Sequence, residues 1–235
     1  MQVFYLNEIS PGFNYLDTVE SHHCSRVLRL KTGSSILVID GKGNMGEGEI
    51  SDPDPEKCIV KIHKIHNNYH KRPYHLHIAI APTKNTDRFE WFLGKTTEIG
   101  IDEITPLLCE RSERKIIKTN RLEKIILSAM KQSITAFMPV LHKMTSLREF
   151  LEFAPSGDTY ITHSENYDQP HLKSLISPGK NYIIMIGPEG GFSPEEVQMA
   201  NNKGVISVSL GQNRLRTETA GLVACNIASL VNAKG

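Results

Sequence analysis

Two short stretches gather residue types that can do chemistry. In Gly187-Pro188-Glu189-Gly190-Gly191-Phe192, three glycines and one carboxylate follow the apolar run Tyr182-Ile183-Ile184-Met185-Ile186. The run reads as a buried strand. Ser193-Pro194-Glu195-Glu196 reads as a helix start, with Ser193 as N-cap, Pro194 at the first helical position and Glu196 closing a capping box. Capping explains those four residues but not the glycines. Glycine lets backbone N–H groups approach a ligand closely and accepts positive φ, and open α/β sheets bind ligands at their strand ends.

The second stretch runs from Leu210 and Gly211 through Arg214, Leu215, Arg216, Thr217, Glu218 and Thr219 to Ala220. It lies between a strand expected over 205–210 and a helix expected over 222–231, with Thr217 or Thr219 as cap. Three charges at such a corner are either paired or functional. Neither stretch is a phosphate loop: no Gly-Lys-Ser/Thr follows, no GxGxxG is present, and neither loop holds a phosphate-gripping lysine.

The elements that must position these loops follow from periodicity. Residues 1–70 are β-rich. Ile36–Ile39 is a short strand ending in an Asp40-Gly41 turn, residues 59–65 alternate as a half-buried strand, and a helix is expected over 18–28. Short strands with glycine turns suggest a small barrel or sandwich. After a polar junction at residues 67–74, strands (76–81, 104–108) alternate with helices (89–99, 122–129) through to the C-terminus, which predicts a parallel sheet covered by helices. Two domains are expected, at 1–70 and 74–235.

The chain has 235 residues and a net charge of +1, so bulk charge does not point to nucleic acid. Local charge is more telling: Lys61, Lys64, Lys71 and Arg72 form one basic stripe, and Arg111, Arg114, Lys115, Lys118, Arg121 and Lys124 another. Either could track a phosphate backbone or be a solvated face. No run is long enough to span a membrane and no leader is read. The four cysteines form no CxxC pair, which favours a reducing, cytoplasmic setting over disulfides or a zinc knuckle. His63, His66, His70, His75 and His77 crowd one region, but they read as strand and linker positions, and no metal is expected.

The pair "IGPEGGFSPEEV" and "LGQNRLRTETA" strongly resembles the bacterial 16S ribosomal RNA (uracil-N3)-methyltransferases of the SPOUT class. "VLRLKTGSSILVIDGKG" resembles that family's N-terminal PUA-like barrel, and "APTKNTDRFEWFLGKTTEIGIDEITPLLCERSERK" the opening of its catalytic domain. The resemblance covers nearly the whole chain. It implies an α/β fold with a C-terminal trefoil-knotted methyltransferase domain behind an N-terminal PUA-like β-barrel, a homodimer, and 16S ribosomal RNA in the small subunit as substrate. It also implies S-adenosyl-L-methionine held by Ile186, Gly187, Pro188, Glu189, Gly190, Gly191 and Phe192, by Leu210, Gly211, Leu215, Arg216, Glu218, Thr219 and Ala220, and by His163 as a third wall. The chain departs from the family pattern at Asn213, Arg214 and Thr135. Methylating uracil N3 requires loss of its proton and stabilisation of charge on O2 and O4. Arg216 is the expected cation, with Glu218 or Glu189 as base or positioning group. Arg26, Arg29 and Lys31, with Lys84, Arg88 and Lys95, are the expected RNA contacts.

Overall fold

A computed structural model describes residues 1–153, 157–163 and 169–233. The chain divides into two compact units. One comprises 1–71 with 127–138, and the other 72–126 with 139–235. Residues 127–138, expected in the C-terminal domain, thus cluster with the N-terminal unit.

The first unit is built on β1 (Gln2–Tyr5), β2 (Gly12–Tyr15), α1 (Thr18–His22), β3 (Ser35–Ile39), β4 (Met45–Asp52) and β5 (Ile59–His66). Its five-stranded sheet has the order β1-β3-β4-β5-β2. Only the β1–β3 pair is parallel. The expected helix is present but not uniform. Asp17 caps α1 by accepting the Glu20 N–H at 2.7 Å, and the chain then continues as a π-helix over His23–Val27. Phe4, Ile36, Val38, Ile50, Val60 and Ile62 close the core. A buried Glu20 is neutralised by Lys131, whose Nζ lies 2.6 Å away, so the 127–138 segment belongs here for an electrostatic reason as well as by packing.

The second unit follows as β6 (His75–Ile80), α2 (Thr86–Ile99), β7 (Glu103–Leu108), α3 (Thr119–Ser133, whose last turns belong to the first unit), β8 (Val140–Leu141), β9 (Thr145–Ser146), α4 (Leu147–Phe153), β10 (Asp158–Thr162), α5 (Leu172–Leu175), β11 (Asn181–Ile186), α6 (Pro194–Asn202), β12 (Ile206–Val208) and α7 (Thr217–Val231). Its sheet is parallel throughout, in the order β12-β10-β11-β6-β7-β8, with β9 pairing on β7. The uninterrupted apolar runs of β6 and β11 suit central strands buried on both faces. Ala79, Ala81, Ile183 and Met185 pack with Phe150 and Leu151 of α4 and Val197 and Ala200 of α6. On the other face α7 comes so close that a Cβ at Gly221 would lie 2.5 Å from the Phe92 ring and 3.0 Å from Ile80.

Two expected boundaries shift. The strand over 205–210 is reduced to β12, and α7 begins at Thr217 rather than 222. Arg216 occupies the N-cap without a capping side-chain bond. Neither threonine caps the helix, because Thr217 already lies inside it and its hydroxyl is used elsewhere.

Candidate active site

The C-terminal ends of β10, β11 and β12 open onto a cavity of about 810 Å³. Its walls are the two stretches singled out above. Ile186, Gly187, Pro188, Glu189, Gly190, Gly191 and Phe192 form one side, and Leu210, Gly211, Leu215, Arg216 and Ala220 another. Thr162 and His163 at the end of β10 add the third wall. The His163 N–H donates to the Val208 carbonyl at 3.2 Å. Residues 164–168 of that loop lie outside the described residues.

The loop over 187–193 is shaped by both its own chain and its neighbours. Gly191 has φ of 72° and Gly211 of 134°, and a Cβ on either would meet nothing within 4 Å. Their requirement is therefore conformational rather than spatial. The capping box at α6 is present as expected: Ser193 accepts from the Glu196 N–H, and Glu196 from the Ser193 N–H. Glu196 also accepts the Glu110 N–H at 2.8 Å, so one carboxylate ties the helix start to the loop after β7.

The same β7 loop supplies a brace that the sequence did not reveal. Arg111 donates through Nη1 to the Gly190 carbonyl at 3.0 Å and to that of Phe192 at 3.4 Å. Arg114 donates through Nε to the Thr83 carbonyl at 2.9 Å and through Nη2 to that of Lys84. Arg121 pairs with Glu90 on α2. Half of the second basic stripe is thus committed to holding loops and helices, which a count of positive charges could not disclose.

The two glycine loops are also tied to each other. Thr217 Oγ1 donates to the Gly187 carbonyl at 3.1 Å, and Arg214 Nη2 to that of Glu189 at 3.1 Å. Arg214 therefore has a structural use here.

The expected catalytic residues separate. The exposed Arg216 lines the cavity, and its guanidinium makes no hydrogen bond or ion pair among the described residues. Glu189 lines the cavity too, with Oε1 accepting the Lys84 N–H at 2.9 Å. Glu218 and Thr219 do not line it. Glu218 is buried on α7 with Oε1 3.8 Å from Arg88 Nε, and its Oε2 has no hydrogen-bond partner among the described residues. A carboxylate in the first turn of a helix is favoured by the N-terminal dipole, so its burial has a structural cause.

The expected RNA contacts divide likewise. Lys84 pairs with Glu113 at 2.8 Å, Arg88 faces Glu218, and Lys95 pairs with Glu98 one turn on. Arg26, Arg29 and Lys31 are exposed and make no ion pair among the described residues. The crowded histidines also sort by unit. His63 and His66 lie beside Glu49 and Glu47 across β4–β5, whereas His75 and His77 meet Glu103 of β7. All four cysteines are free and buried. No helix among the described residues is long and apolar enough to cross a membrane.

Residues 70–229 match the family model of the RNA methyltransferase domain, and residues 16–62 that of the RNA methyltransferase PUA domain. Ribosomal RNA small subunit methyltransferase E of Mesomycoplasma hyopneumoniae is 30% identical over 94% of this chain and 96% of its own length. A "probable rRNA-methyltransferase" from Porphyromonas gingivalis has a crystal structure that superposes with a TM-score of 0.91 at 36% identity, covering 99% of this chain and 98% of that one. Ribosomal RNA small subunit methyltransferase E of Neisseria gonorrhoeae, solved bound to S-adenosyl methionine, superposes at 0.90 with 28% identity over 99% and 98%. The α/β unit has the SPOUT-type fold of these solved structures and the N-terminal unit is PUA-like. Matched end to end in sequence and in fold, the chain belongs to the ribosomal RNA small subunit methyltransferase E family.

Proposed function

We propose that this chain transfers the methyl group of S-adenosyl-L-methionine to N3 of a uridine in 16S ribosomal RNA, giving 3-methyluridine. The observation that carries this reading is the cavity of about 810 Å³ at the parallel strand ends, walled by two glycine loops and lined by an Arg216 guanidinium that has no partner among the described residues. Its size is that of a pocket for a cofactor-sized ligand. The glycine loops offer backbone groups on two sides and the residues Ile186, Leu210 and Leu215 offer apolar surface. That set fits an adenosine with a charged amino-acid tail.

The donor supplies an electrophilic methyl on a sulfonium. The protein's task is the uracil. The base must leave its pairing and stack to reach the cavity. As the N3 proton leaves, negative charge grows on O2 and O4, and the Arg216 guanidinium stabilises it. Glu189 has one carboxylate oxygen fixed by Lys84 and lines the cavity, so it holds the position from which a proton could be accepted. Glu218 acts from outside the cavity by fixing the start of α7 against Arg88. Gly187 to Phe192, Leu210, Gly211, Leu215, Ala220 and His163 hold the donor, and Thr219 supports them from the helix.

The PUA-like unit presents Arg26, Arg29 and Lys31 without ion-pair partners among the described residues, and these contact RNA phosphates. Such contacts position rather than specify. The substrate is the small ribosomal subunit in the cytoplasm, and the enzyme is a homodimer. Exposed Trp91 on α2 and Leu230 on α7 support self-association, which light scattering on the purified chain tests. The decisive experiment is methyl transfer from labelled S-adenosylmethionine to unmodified small subunits, read by nucleoside mass spectrometry. Appearance of 3-methyluridine is expected. A different methylated nucleoside overturns the target, and donor binding without transfer overturns the catalytic reading.

A further inference from the structure

At the N-terminal edge of the parallel sheet, away from the strand ends that form the cavity, three side chains converge from two strands and the segment that follows a third. His77 on β6 sits directly opposite Glu103 on β7 in the parallel register. His142 follows β8 and is placed by its own N–H donating to the Ile104 carbonyl at 2.8 Å. Glu103 Oε2 lies 2.6 Å from His142 Nε2 and 3.8 Å from His77 Nδ1. One ligand atom from each residue lies within 4.8 Å of the others.

We propose that His77, His142 and Glu103 form a binding site for one divalent transition-metal ion of the zinc type. Four observations carry this. First, His77 is 3% exposed, yet its Nδ1 has no hydrogen-bond partner among the described residues. A buried polar atom without a partner is uncommon, and a bound ion is one of its ordinary explanations. Second, the other ring nitrogen of His77 is bonded to Thr105 Oγ1 at 2.8 Å. That bond lets Nε2 carry the proton and directs the Nδ1 lone pair at Glu103, the outer-shell arrangement by which ligand histidines are oriented. Third, the spacings of 2.6 and 3.8 Å bracket the roughly 3.4 Å that separates ligands around a tetrahedral ion with bonds of about 2.1 Å. Fourth, His75 lies 3.1 Å from the other Glu103 oxygen, and the Phe150 ring stands edge-on to His77 with centroids 5.4 Å apart. The carboxylate is thus held from behind, and one side of the site is dry.

Two imidazoles and one carboxylate select zinc-like ions over magnesium or calcium, which prefer all-oxygen shells. Three protein ligands leave a fourth position for water. Pairing on β7 already joins β6 to β8 in this sheet, so the ion would tie β6 and β7 to the segment that follows β8.

The test uses untagged, chelator-treated full-length protein titrated with Co²⁺, read by visible absorption, and with Zn²⁺ in competition. One equivalent per chain is expected. Glu103→Gln and His142→Asn should each weaken binding by at least about tenfold, whereas His63→Asn and His66→Asn should leave it unchanged. Thr105→Val keeps every ligand and should still cost about tenfold. It provides a second readout should a ligand variant fail to fold. Absence of one-to-one binding overturns the proposal. So does binding that survives Glu103→Gln, His142→Asn and Thr105→Val unaltered.

Discussion

The hydroxyl of Thr217 donates to the carbonyl oxygen of Gly187 across 3.1 Å and thirty residues of sequence. The first helical residue of α7 is thereby bonded to the first residue of the other glycine loop. Thr217 is 5% exposed, so the bond forms out of water. Replacing Thr217 by valine keeps the shape and leaves the Gly187 carbonyl without that donor. The loss is about 1–2 kcal/mol, expressed at the loop itself. S-adenosylmethionine affinity measured by calorimetry should fall roughly 5- to 30-fold, with a smaller change in kcat at saturating donor. An unchanged affinity would mean that the loop holds its shape without the tie.

Arg111 makes a second, independent claim on the same loop. It spans the carbonyls of Gly190 and Phe192, so it acts through the loop rather than on the RNA. Arg111→Ala should weaken donor binding by about 1.5–3 kcal/mol, the range for hydrogen bonds involving charged groups. Arg111→Lys should rescue it poorly, because an ammonium lacks the planar fork. The salt dependence of ribosomal subunit binding should remain unchanged, since no phosphate contact is lost. Conversely, Arg29→Ala should reduce that salt slope by about one and leave donor affinity intact. An exchange of these two outcomes would reverse the assignment of the basic residues.

Arg216 and Glu218 are separated by one residue in sequence and by the helix boundary in space. Arg216→Ala should cost about 10²- to 10³-fold in kcat, as removal of a charge-stabilising donor does, with donor affinity changed little. Glu218→Gln should leave the pH profile of turnover intact, because the carboxylate does not line the cavity. A lost acid-side limb in that profile would return Glu218 to the list of bases.

Much of this was legible in the sequence where physics acts locally. The strand-to-helix corner at 186–194, the Ser193 capping box and the alternation of strands and helices follow from periodicity and capping, whereas at the second corner only the order strand, loop, helix was legible and not its bounds or cap. β4 is not legible in the sequence, since Gly46 and Gly48 leave Ile50 as the one apolar residue on its inner face. Their lack of side chains is nonetheless what fits. A Cβ at Gly48 would lie 2.3 Å from the Lys61 carbonyl, and one at Gly46 2.7 Å from Val38. The knot was implied by resemblance alone, because threading leaves no trace in hydrophobic pattern. Arg88 beside Glu218, Arg111 on the glycine loop and His142 beside His77 each join residues distant in the chain. Their partners depend on how helices and strands are stacked, not on spacing.

Close packing gives a stability prediction with a decided sign. Ala is worth about 1 kcal/mol more than Gly inside a helix, so Gly221→Ala on α7 would be stabilising in an open position. Here the added Cβ meets the fully buried Phe92 ring at 2.5 Å and Ile80 at 3.0 Å. Neither can swing into solvent. Overpacking costs about 1–3 kcal/mol, so net destabilisation is expected, with the urea midpoint lowered and its slope unchanged. A raised midpoint would show that α7 can lift off α2.

Acid stability should carry the signature of His77. Burial lowers its pKa from 6.5 to about 4, opposed by Glu103 and reinforced by His142 and His75. The native state therefore keeps His77 neutral over a range in which the unfolded chain binds a proton. Above about pH 6.5 both states are neutral and the group makes no difference. As pH falls from 6.5 towards 4 the unfolded state takes up the proton first, and stability declines by up to about 1.4 kcal/mol per pH unit. The full effect is on the order of 3 kcal/mol, complete near pH 4. Glu103 has its pKa lowered, the raising effect of burial being outweighed by the His142 hydrogen bond and the nearby histidines. Its contribution is present above the usual carboxylate value and is lost only as pH falls below it, so the two groups act in successive windows. Urea unfolding of chelator-treated protein between pH 7.5 and 4.5 measures the first. Wild type should lose stability across that interval, and His77→Gln, which cannot titrate, should follow a flatter line. Parallel profiles would mean that water reaches His77 and that its burial does not control its proton.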